Sequence, residues 1–206
     1  MIKLWGRNSS VNVQKVIFCL DELGLDYERL EAGGAFGVVK TPEYMAMNPN
    51  SLVPVMEDGD AVLWESNSIV RYLCAKHSPG KLWPDDLLQR AEADRWTDWQ
   101  QSNFTPATRD AFWGLLRTPT EKRDLTVIAT SCAASEARMD ILEAHFARHD
   151  YVAGKQFTFG DIVLGPAVHR WLNMPVERAK RPHVQRWYQA LIARPASKRS
   201  LFLPIA

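Results

Sequence analysis

The chain has 206 residues, of which 46% are hydrophobic and 24% are charged, and its formal net charge is +1. These values are typical of a soluble globular protein with a buried core, and the small net charge gives no electrostatic reason to expect binding to nucleic acid or to an acidic membrane. No apolar stretch reaches the ~20 residues that span a bilayer, and the first seven residues are too short and too polar for a signal peptide.

The cysteine content points to a reducing compartment. The chain contains three cysteines, Cys19, Cys74 and Cys132, and they are widely spaced. An odd number without a CxxC pair indicates neither a disulfide framework nor a CxxC site. Free thiols are usual in the cytoplasm, so we expect a cytoplasmic protein.

Residues 1–79 predict a thioredoxin-like α/β domain with a mixed sheet and the order β-α-β-α-β-β-α. Short apolar or alternating runs indicate the strands, and apolar residues that recur on one face indicate the helices. Asp58-Gly59 between two apolar runs is a strong hairpin signal. In chain order, the predicted elements are a strand over 2–5, a helix from about 13 that ends at Gly24, a strand over 25–30, a short helix from Pro42, two strands around Asp58-Gly59, and a helix over 66–77.

A glycine-rich stretch at 33–37 interrupts this pattern. It has neither the glycine spacing of a phosphate-binding loop nor the Lys-Ser/Thr pair that follows one. We therefore predict no nucleotide site there.

Residues 80–86 predict a linker, and residues 87–206 predict an all-helical domain. One helix is indicated over about 88–99, and another carries a buried seam from Ile128 to Phe146. Thr158 and Asp161 have the spacing of a capping box at the start of a third helix. Pro166 lies inside that helix and is expected to bend it or to end its first turn. A last amphipathic helix over 184–192 stops before Pro195.

Two histidines raise the question of a metal site. His145 and His149 are four residues apart, which places both on one helical face. A third ligand is not apparent, so we favour a solvated helix end and predict no metal.

Four stretches of the sequence together resemble the cytosolic glutathione S-transferases, and the resemblance covers the whole chain. The pattern is most similar to the serine-type bacterial members related to the theta and phi classes. The stretches are Leu4-Trp5-Gly6-Arg7 with Ser10 to Val16, Asn48-Pro49 to Val53-Pro54, Trp64-Glu65-Ser66 with Ile69 and Arg71-Tyr72-Leu73, and Phe157 to Asp161.

The resemblance implies how glutathione is held. Val53 would pair its backbone with the cysteinyl part, and Pro54 would follow a cis peptide bond. Glu65 and Ser66 would hold the γ-glutamyl end, and the start of a helix at Ser66 independently favours a carboxylate. Lys40 would pair with the glycyl carboxylate.

The resemblance also implies a serine that contacts the glutathione sulfur. Counting back from the helix stop at Gly24 favours Ser10, with Ser9 as the alternative. A serine before an apolar helix is also an ordinary N-cap, and both roles remain open for Ser10. Two residues depart from the family pattern, because Leu52 replaces a polar contact to glutathione and Ser51 replaces a common glycine.

The implied function is a homodimeric glutathione transferase that acts in detoxification, with glutathione as co-substrate. It would activate the glutathione thiol for attack on small, mostly apolar electrophiles held by the helical domain. Arg109 and Trp113 are the candidate residues for the electrophile pocket. The alternatives are a glutathione-dependent isomerase or dehalogenase, and a non-catalytic interaction module on the same fold.

Overall fold

The computed structural model describes residues 1–202 and 205, and its N-terminal part is built around a four-stranded sheet. The strands are β1 (Ile2–Trp5), β2 (Tyr27–Leu30), β3 (Val55–Asp58) and β4 (Ala61–Trp64). The helices are α1 (Val11–Glu22), α2 (Pro42–Met47), α3 (Ser66–His77), α4 (Leu87–Trp99), α5 (Thr105–Phe112), α6 (Leu125–Phe146), α7 (Phe159–Asn173), α8 (Pro182–Ile192) and α9 (Lys198–Leu201).

The sheet has the order β2-β1-β3-β4 and confirms the predicted thioredoxin-like domain. β1 pairs with β2 in parallel and with β3 antiparallel, so the sheet is mixed. β3 and β4 form a hairpin in which Asp58 faces Ala61, as the Asp58-Gly59 signal indicated.

The second strand begins at Tyr27 and not at Leu25. The amide of Leu25 donates to the carbonyl of Leu20 at 3.0 Å, so Leu25 still belongs to the end of α1. Gly24 has φ +65°, and this left-handed residue makes the helix-terminating bond possible.

The first helix of the helical domain extends beyond the predicted range of 88–99. α4 continues through a π-helical turn (Gln100–Phe104) into α5, and a second π-helical turn (Trp113–Arg117) follows α5. Pro106 has no amide hydrogen for an α-helical bond to Ser102, and the first π-helical turn ends just before α5, in which Pro106 is the second residue. Sequence periodicity has no signal for such a turn.

Pro166 does not end the first turn of its helix, because α7 runs unbroken from Phe159 to Asn173. Every residue from Phe159 to His169 is buried, so packing compensates for the backbone bond that the proline cannot make. α9 was not predicted, whereas α8 and the buried seam of α6 were. None of the helices in residues 1–202 is long and apolar enough to cross a membrane.

α1 lies at the centre of the molecule. It packs against α3 on one side and against α7 and α9 on the other. All residues from Val13 to Leu20 are buried, including the polar Gln14 and the charged Lys15. The sequence predicted that one face of this helix is buried. In the structure the central residues are buried on all sides, because the helical domain covers the other face.

The buried Asp161 carboxylate joins three parts of the helical domain. It accepts hydrogen bonds from the amides of Val152 and Thr158, both at 3.0 Å, and from the indole N–H of Trp187 at 2.8 Å. The bond from Thr158 confirms the acidic half of the predicted capping box.

We expect Asp161→Ala to destabilise the protein by at least about 3 kcal/mol, because it removes the acceptor of four buried donors, the three above and the hydroxyl of Thr158. Asp124→Ala is the matched control, since Asp124 caps α6 from an exposed position with bonds of 3.0 Å to the amides of Thr126 and Val127. The loss of that cap costs about 1 kcal/mol. Urea unfolding followed by circular dichroism measures both, and equal losses would contradict the proposed role of Asp161.

Candidate active site

Ser10 occupies the N-cap position of α1, but its hydroxyl does not cap the helix. Its amide donates to the carbonyl of Arg7 at 3.1 Å, and its carbonyl accepts from the amide of Gln14 at 2.9 Å. Within the described residues the hydroxyl makes no hydrogen bond, and the residue is 9% exposed. The backbone of Ser10 therefore starts the helix, and the hydroxyl is left for another partner.

A cavity of about 340 Å³ opens beside Ser10. Arg109 and Trp113 line it, so three of the predicted site residues meet at one place. Ser9 is absent from the described lining, and its carbonyl accepts a hydrogen bond from Arg170 at 3.3 Å. Arg109 also donates to Asp110 at 2.9 Å, which partly neutralises it.

The Val53–Pro54 peptide bond is cis, as the resemblance implied. The loop before it is held by the hydroxyl of Tyr44, which donates to the carbonyl of Leu52 at 2.8 Å, and by the side-chain amide of Asn48, which donates to the same oxygen at 2.9 Å. The Leu52 side chain itself is 63% exposed. This loop therefore has a fixed backbone, while Leu52 directs its side chain outward.

Ser51 has φ +54°, in the left-handed region that favours glycine. This conformation is the physical reason that a glycine suits the position. A non-glycine residue there costs about 1–2 kcal/mol.

Glu65 and Ser66 form the start of α3. Glu65 is the N-cap residue with φ +69°, and its side chain makes no capping bond. Ser66 is the first helical residue and is 4% exposed. The helix start thus leaves its first amide groups without an intrahelical acceptor, which is the arrangement that binds a carboxylate.

Lys40 lies exposed in the turn before α2. It is absent from the described lining of the Ser10 cavity. The structure therefore does not bring it together with Ser10, and its role toward the glycyl carboxylate stays a prediction.

Three arginines that were not predicted as site residues line the same cavity. They are Arg7 after β1, Arg117 at the end of the second π-helical turn, and Arg170 in α7. Burial, together with the charges of Arg117 and Arg7, lowers the pKa of Arg170 to about 10. Burial and Arg117 also lower the pKa of Arg7. The wall of the cavity is therefore strongly positive, although the whole chain is nearly neutral.

The glycine-rich stretch makes room for one of these arginines. A Cβ atom on Gly33 would lie 2.9 Å from Nη1 of Arg7 and 3.2 Å from Cγ1 of Val53. A Cβ atom on Gly34 would lie 3.1 Å from Cδ of Arg7. The two glycines thus let Arg7 lie close to the segment that carries Val53.

Lys15 is a second feature that the sequence did not reveal. Its side chain is completely buried, and Nζ donates to Asn67 Oδ1 at 3.0 Å and to Gln100 Oε1 at 2.7 Å. Burial lowers its pKa to about 7, an effect that the Glu65 carboxylate opposes and the charge of Arg170 increases. The only available signal was a lysine within the apolar run of α1.

The two histidines differ from the expected solvated helix end. His145 is 9% exposed, and its Nε2 lies 3.1 Å from the carbonyl of Val152. Burial is the main reason that its pKa is lowered to about 4. In residues 1–202 and 205, no group of three or more potential metal ligands was found.

Two family models match this sequence. The model of the glutathione S-transferase N-terminal domain matches residues 4–81, and that of the glutathione S-transferase C-terminal domain matches residues 128–190. Among curated relatives, the glutathione S-transferase GstB of Escherichia coli is 43% identical over 208 residues and covers 100% of both chains. Glutathione S-transferase 3 of Zea mays is 34% identical, over 97% of this chain and 93% of the relative.

A solved structure has the same fold over the whole chain. The theta class glutathione S-transferase of Xanthomonas axonopodis pv. citri, with glutathione bound, superposes with a TM-score of 0.96 at 44% identity. The match covers 100% of this chain and 99% of that one. The fold and most of the sequence length are thus shared with a protein that binds glutathione.

Because the pKa of the buried Lys15 is lowered, we predict that the stability of the protein depends on pH. Lys15→Met should remove this dependence. The pKa of this lysine is about 7 in the folded chain and about 10.4 when unfolded, so between these values only the unfolded chain holds the proton. Stability therefore rises with pH across this window, by up to about 1.4 kcal/mol per unit, and is independent of this group below it.

Urea unfolding at pH 6, 7, 8 and 9 measures this as the difference between wild type and Lys15→Met. Lys76→Met is the control, because Lys76 is exposed and bound to Asp58 at 2.6 Å, which raises its pKa. Its difference from wild type should not change from pH 7 to 9. A flat difference for Lys15→Met as well would show that Lys15 keeps its proton throughout.

Proposed function

The chain belongs to the glutathione S-transferase family, and from that premise we propose that it uses Ser10 to activate the thiol of glutathione for attack on a small electrophile. The observation that carries this proposal is the free hydroxyl of Ser10, which takes the N-cap position without making a capping bond. It lies at the cavity that the helical domain completes. A hydroxyl in this place is available to donate to a sulfur.

The chemistry required of Ser10 is modest. A free thiol has a pKa of about 8.5, so only about 3% is thiolate at pH 7. A hydrogen bond to a charged group contributes about 1.5–3 kcal/mol, and one pKa unit corresponds to 1.36 kcal/mol. One donated bond therefore lowers the thiol pKa by about one to two units.

Five residues are proposed to hold glutathione. Val53 and Pro54 present the backbone beside the cis peptide bond, and Glu65 with Ser66 binds the γ-glutamyl end. Lys40 is the proposed partner of the glycyl carboxylate. The fixed loop before Pro54 and the free amides at the start of α3 support these assignments.

The thiol proton leaves to solvent, and the thiolate accepts a hydrogen bond from Ser10. The sulfur then forms a bond to the electrophilic carbon, and a leaving group such as chloride departs with its electron pair. Arg109 and Trp113 line the cavity beside Ser10, which supports the proposal that they hold the electrophile. Conjugation consumes one molecule of glutathione for each molecule of product, whereas isomerisation and hydrolytic dehalogenation regenerate it. Measuring the consumption of glutathione therefore distinguishes these reactions.

We predict that Ser10→Ala raises the pKa of the bound thiol by about one to two units and lowers kcat near pH 6.5 about ten- to a hundredfold, because the thiolate loses a hydrogen bond. Activity should recover in part at higher pH. The pKa is measured by titrating the ultraviolet absorbance of the thiolate, and kcat with a chlorodinitrobenzene.

Ser9→Ala is the matched control, and it should change both quantities by less than about twofold. Neither variant should lower stability appreciably, since neither hydroxyl forms a hydrogen bond in the described chain. If Ser9→Ala impairs the enzyme and Ser10→Ala does not, the serine assignment is wrong. If wild type neither binds glutathione in calorimetry nor forms a conjugate, the interaction-module alternative gains support instead.

We also propose a homodimer that acts in cytoplasmic detoxification, with the domain boundaries given above. Two large apolar side chains at the start of α4 support the dimer, since Leu87 is 75% and Leu88 is 71% exposed in the single chain. Sedimentation should give twice the chain mass of 23.4 kDa. Leu88→Glu should shift the protein toward monomer, and Leu125→Glu, at a residue that is 73% exposed on α6, is the control. A single-chain mass for wild type would remove the dimer proposal.

A further inference from the structure

Three guanidinium groups meet beside Ser10, from Arg7, Arg117 and Arg170. No acidic side chain is among the described residues that line this cavity. We propose that the three arginines bind a negatively charged group of the electrophile, so that the enzyme prefers small electrophiles with a carboxylate or a comparable anion. This inference rests on the proposed function, and it replaces the expectation of mostly apolar electrophiles.

These arginines lack the counter-ions that the chain supplies elsewhere. Arg181, for example, binds Glu136 at 2.8 Å. None of the ion pairs found in the described residues involves Arg7, Arg117 or Arg170. The protein therefore holds three like charges together without a fixed anion between them.

The cluster repels itself, and a bound anion would relieve that repulsion. The lowered pKa of Arg170 has burial as its main cause, followed by the charges of Arg117 and Arg7. An anion at this place would oppose the part of the pKa lowering of Arg170 and Arg7 that comes from neighbouring positive charges. Guanidinium groups also match the planar geometry of a carboxylate, which favours this anion.

An aromatic ring positions two of the arginines without neutralising them. The guanidinium carbon of Arg170 lies 4.1 Å from the ring centroid of Phe112, and that of Arg117 lies 5.6 Å from it. The ring attracts both cations through its quadrupole but carries no net charge. Trp113 follows on the same helix and is 58% exposed, so an apolar part of the ligand has a second aromatic surface.

The size of the cavity limits the ligand. Its volume of about 340 Å³ is at the lower end of the ~300–1,000 Å³ that small-molecule sites occupy. The expected electrophile is therefore a single ring or a shorter chain with one anionic group.

Glutathione itself has two carboxylates, but its proposed contacts lie elsewhere. Val53, Glu65, Ser66 and Lys40 are all absent from the described lining of this cavity. Arg117 and Arg170 belong to the helical domain, on the side where the electrophile is expected. The other anion that the arginines could stabilise is the glutathione thiolate at Ser10. The experiment below distinguishes this role from binding of an anionic electrophile.

The test compares 4-chloro-3,5-dinitrobenzoate with its uncharged amide, 4-chloro-3,5-dinitrobenzamide. The two have the same shape and leaving group, and each enzymatic kcat/KM is divided by the uncatalysed rate constant. We expect wild type to favour the carboxylate at least about tenfold after this correction, because one charge-assisted hydrogen bond contributes a factor of about that size. Arg117→Gln should remove most of that preference while changing the rate with the amide less than about threefold.

Arg148→Gln is the control for net charge, because Arg148 is exposed and absent from the described cavity lining. It should keep the preference for the carboxylate. Arg7→Gln should act like Arg117→Gln, and circular dichroism establishes that each variant is folded. The exposed Arg117 is chosen over the more deeply buried Arg170 to protect the fold.

Equal corrected rates for the two substrates in wild type would overturn the inference and leave glutathione transfer intact. The inference also fails if Arg117→Gln slows both substrates equally and raises the pKa of the bound thiol, since the arginines would then serve the thiolate. Calorimetry with S-(carboxymethyl)glutathione and its uncharged carbamoylmethyl analogue provides a readout without catalysis. Tighter binding of the charged conjugate, without conjugation of either substrate, would support the anion site and refute the transferase.

Discussion

The burial of one lysine side chain at the domain junction is the constraint on which the rest of this structure depends. Lys15 lies in α1, and its two hydrogen-bond acceptors come from both sides, Asn67 in α3 and Gln100 in the first π-helical turn. A buried amine without hydrogen-bond partners is costly whether or not it carries a proton, so both acceptors must stay in place. The contact therefore couples the helix that begins at Ser10, the helix that begins at Ser66, and the helical domain.

The charges that act on Lys15 belong to a wider positive field. Arg170 contributes to the lowered pKa of Lys15, and Arg117 and Arg7 in turn contribute to that of Arg170. Glu65 opposes the effect at Lys15. A chain with a net charge of only +1 thus concentrates positive charge around its candidate site. Binding of the anionic group proposed above would relieve repulsion that is already present in the fold.

Local signals in the sequence were sufficient for most of the elements, but not for the π-helical turns, for α9 or for the contacts between elements. The Asp58-Gly59 turn and the bond between Thr158 and Asp161 are set by neighbouring residues, and both were predicted. The cluster of Arg7 with Arg170 joins residues 163 positions apart (170 − 7 = 163). Nothing in helical or strand periodicity encodes such a meeting. The family resemblance supplied Ser10 but not the charge of its surroundings, because charge at a site is a property of the packed domains.

Two of the three non-glycine residues with a positive φ in the described chain belong to the candidate site or its neighbourhood, and the third is Val38. Glu65 and Ser51 are non-glycine residues in the left-handed region, and Ser10 is an N-cap whose hydroxyl leaves its helix uncapped. Each departure costs on the order of 1 kcal/mol. Glu65 is one of the residues proposed to hold glutathione, Ser51 lies two residues before Val53, and Ser10 lies at the proposed sulfur position. Elsewhere Asp124 and Asp86 cap their helices in the ordinary way. The Ser10 hydroxyl makes neither a capping bond nor another hydrogen bond within the described residues, so the start of α1 lacks the stability that a cap would add. A donor left free for a ligand is the physical account of that loss.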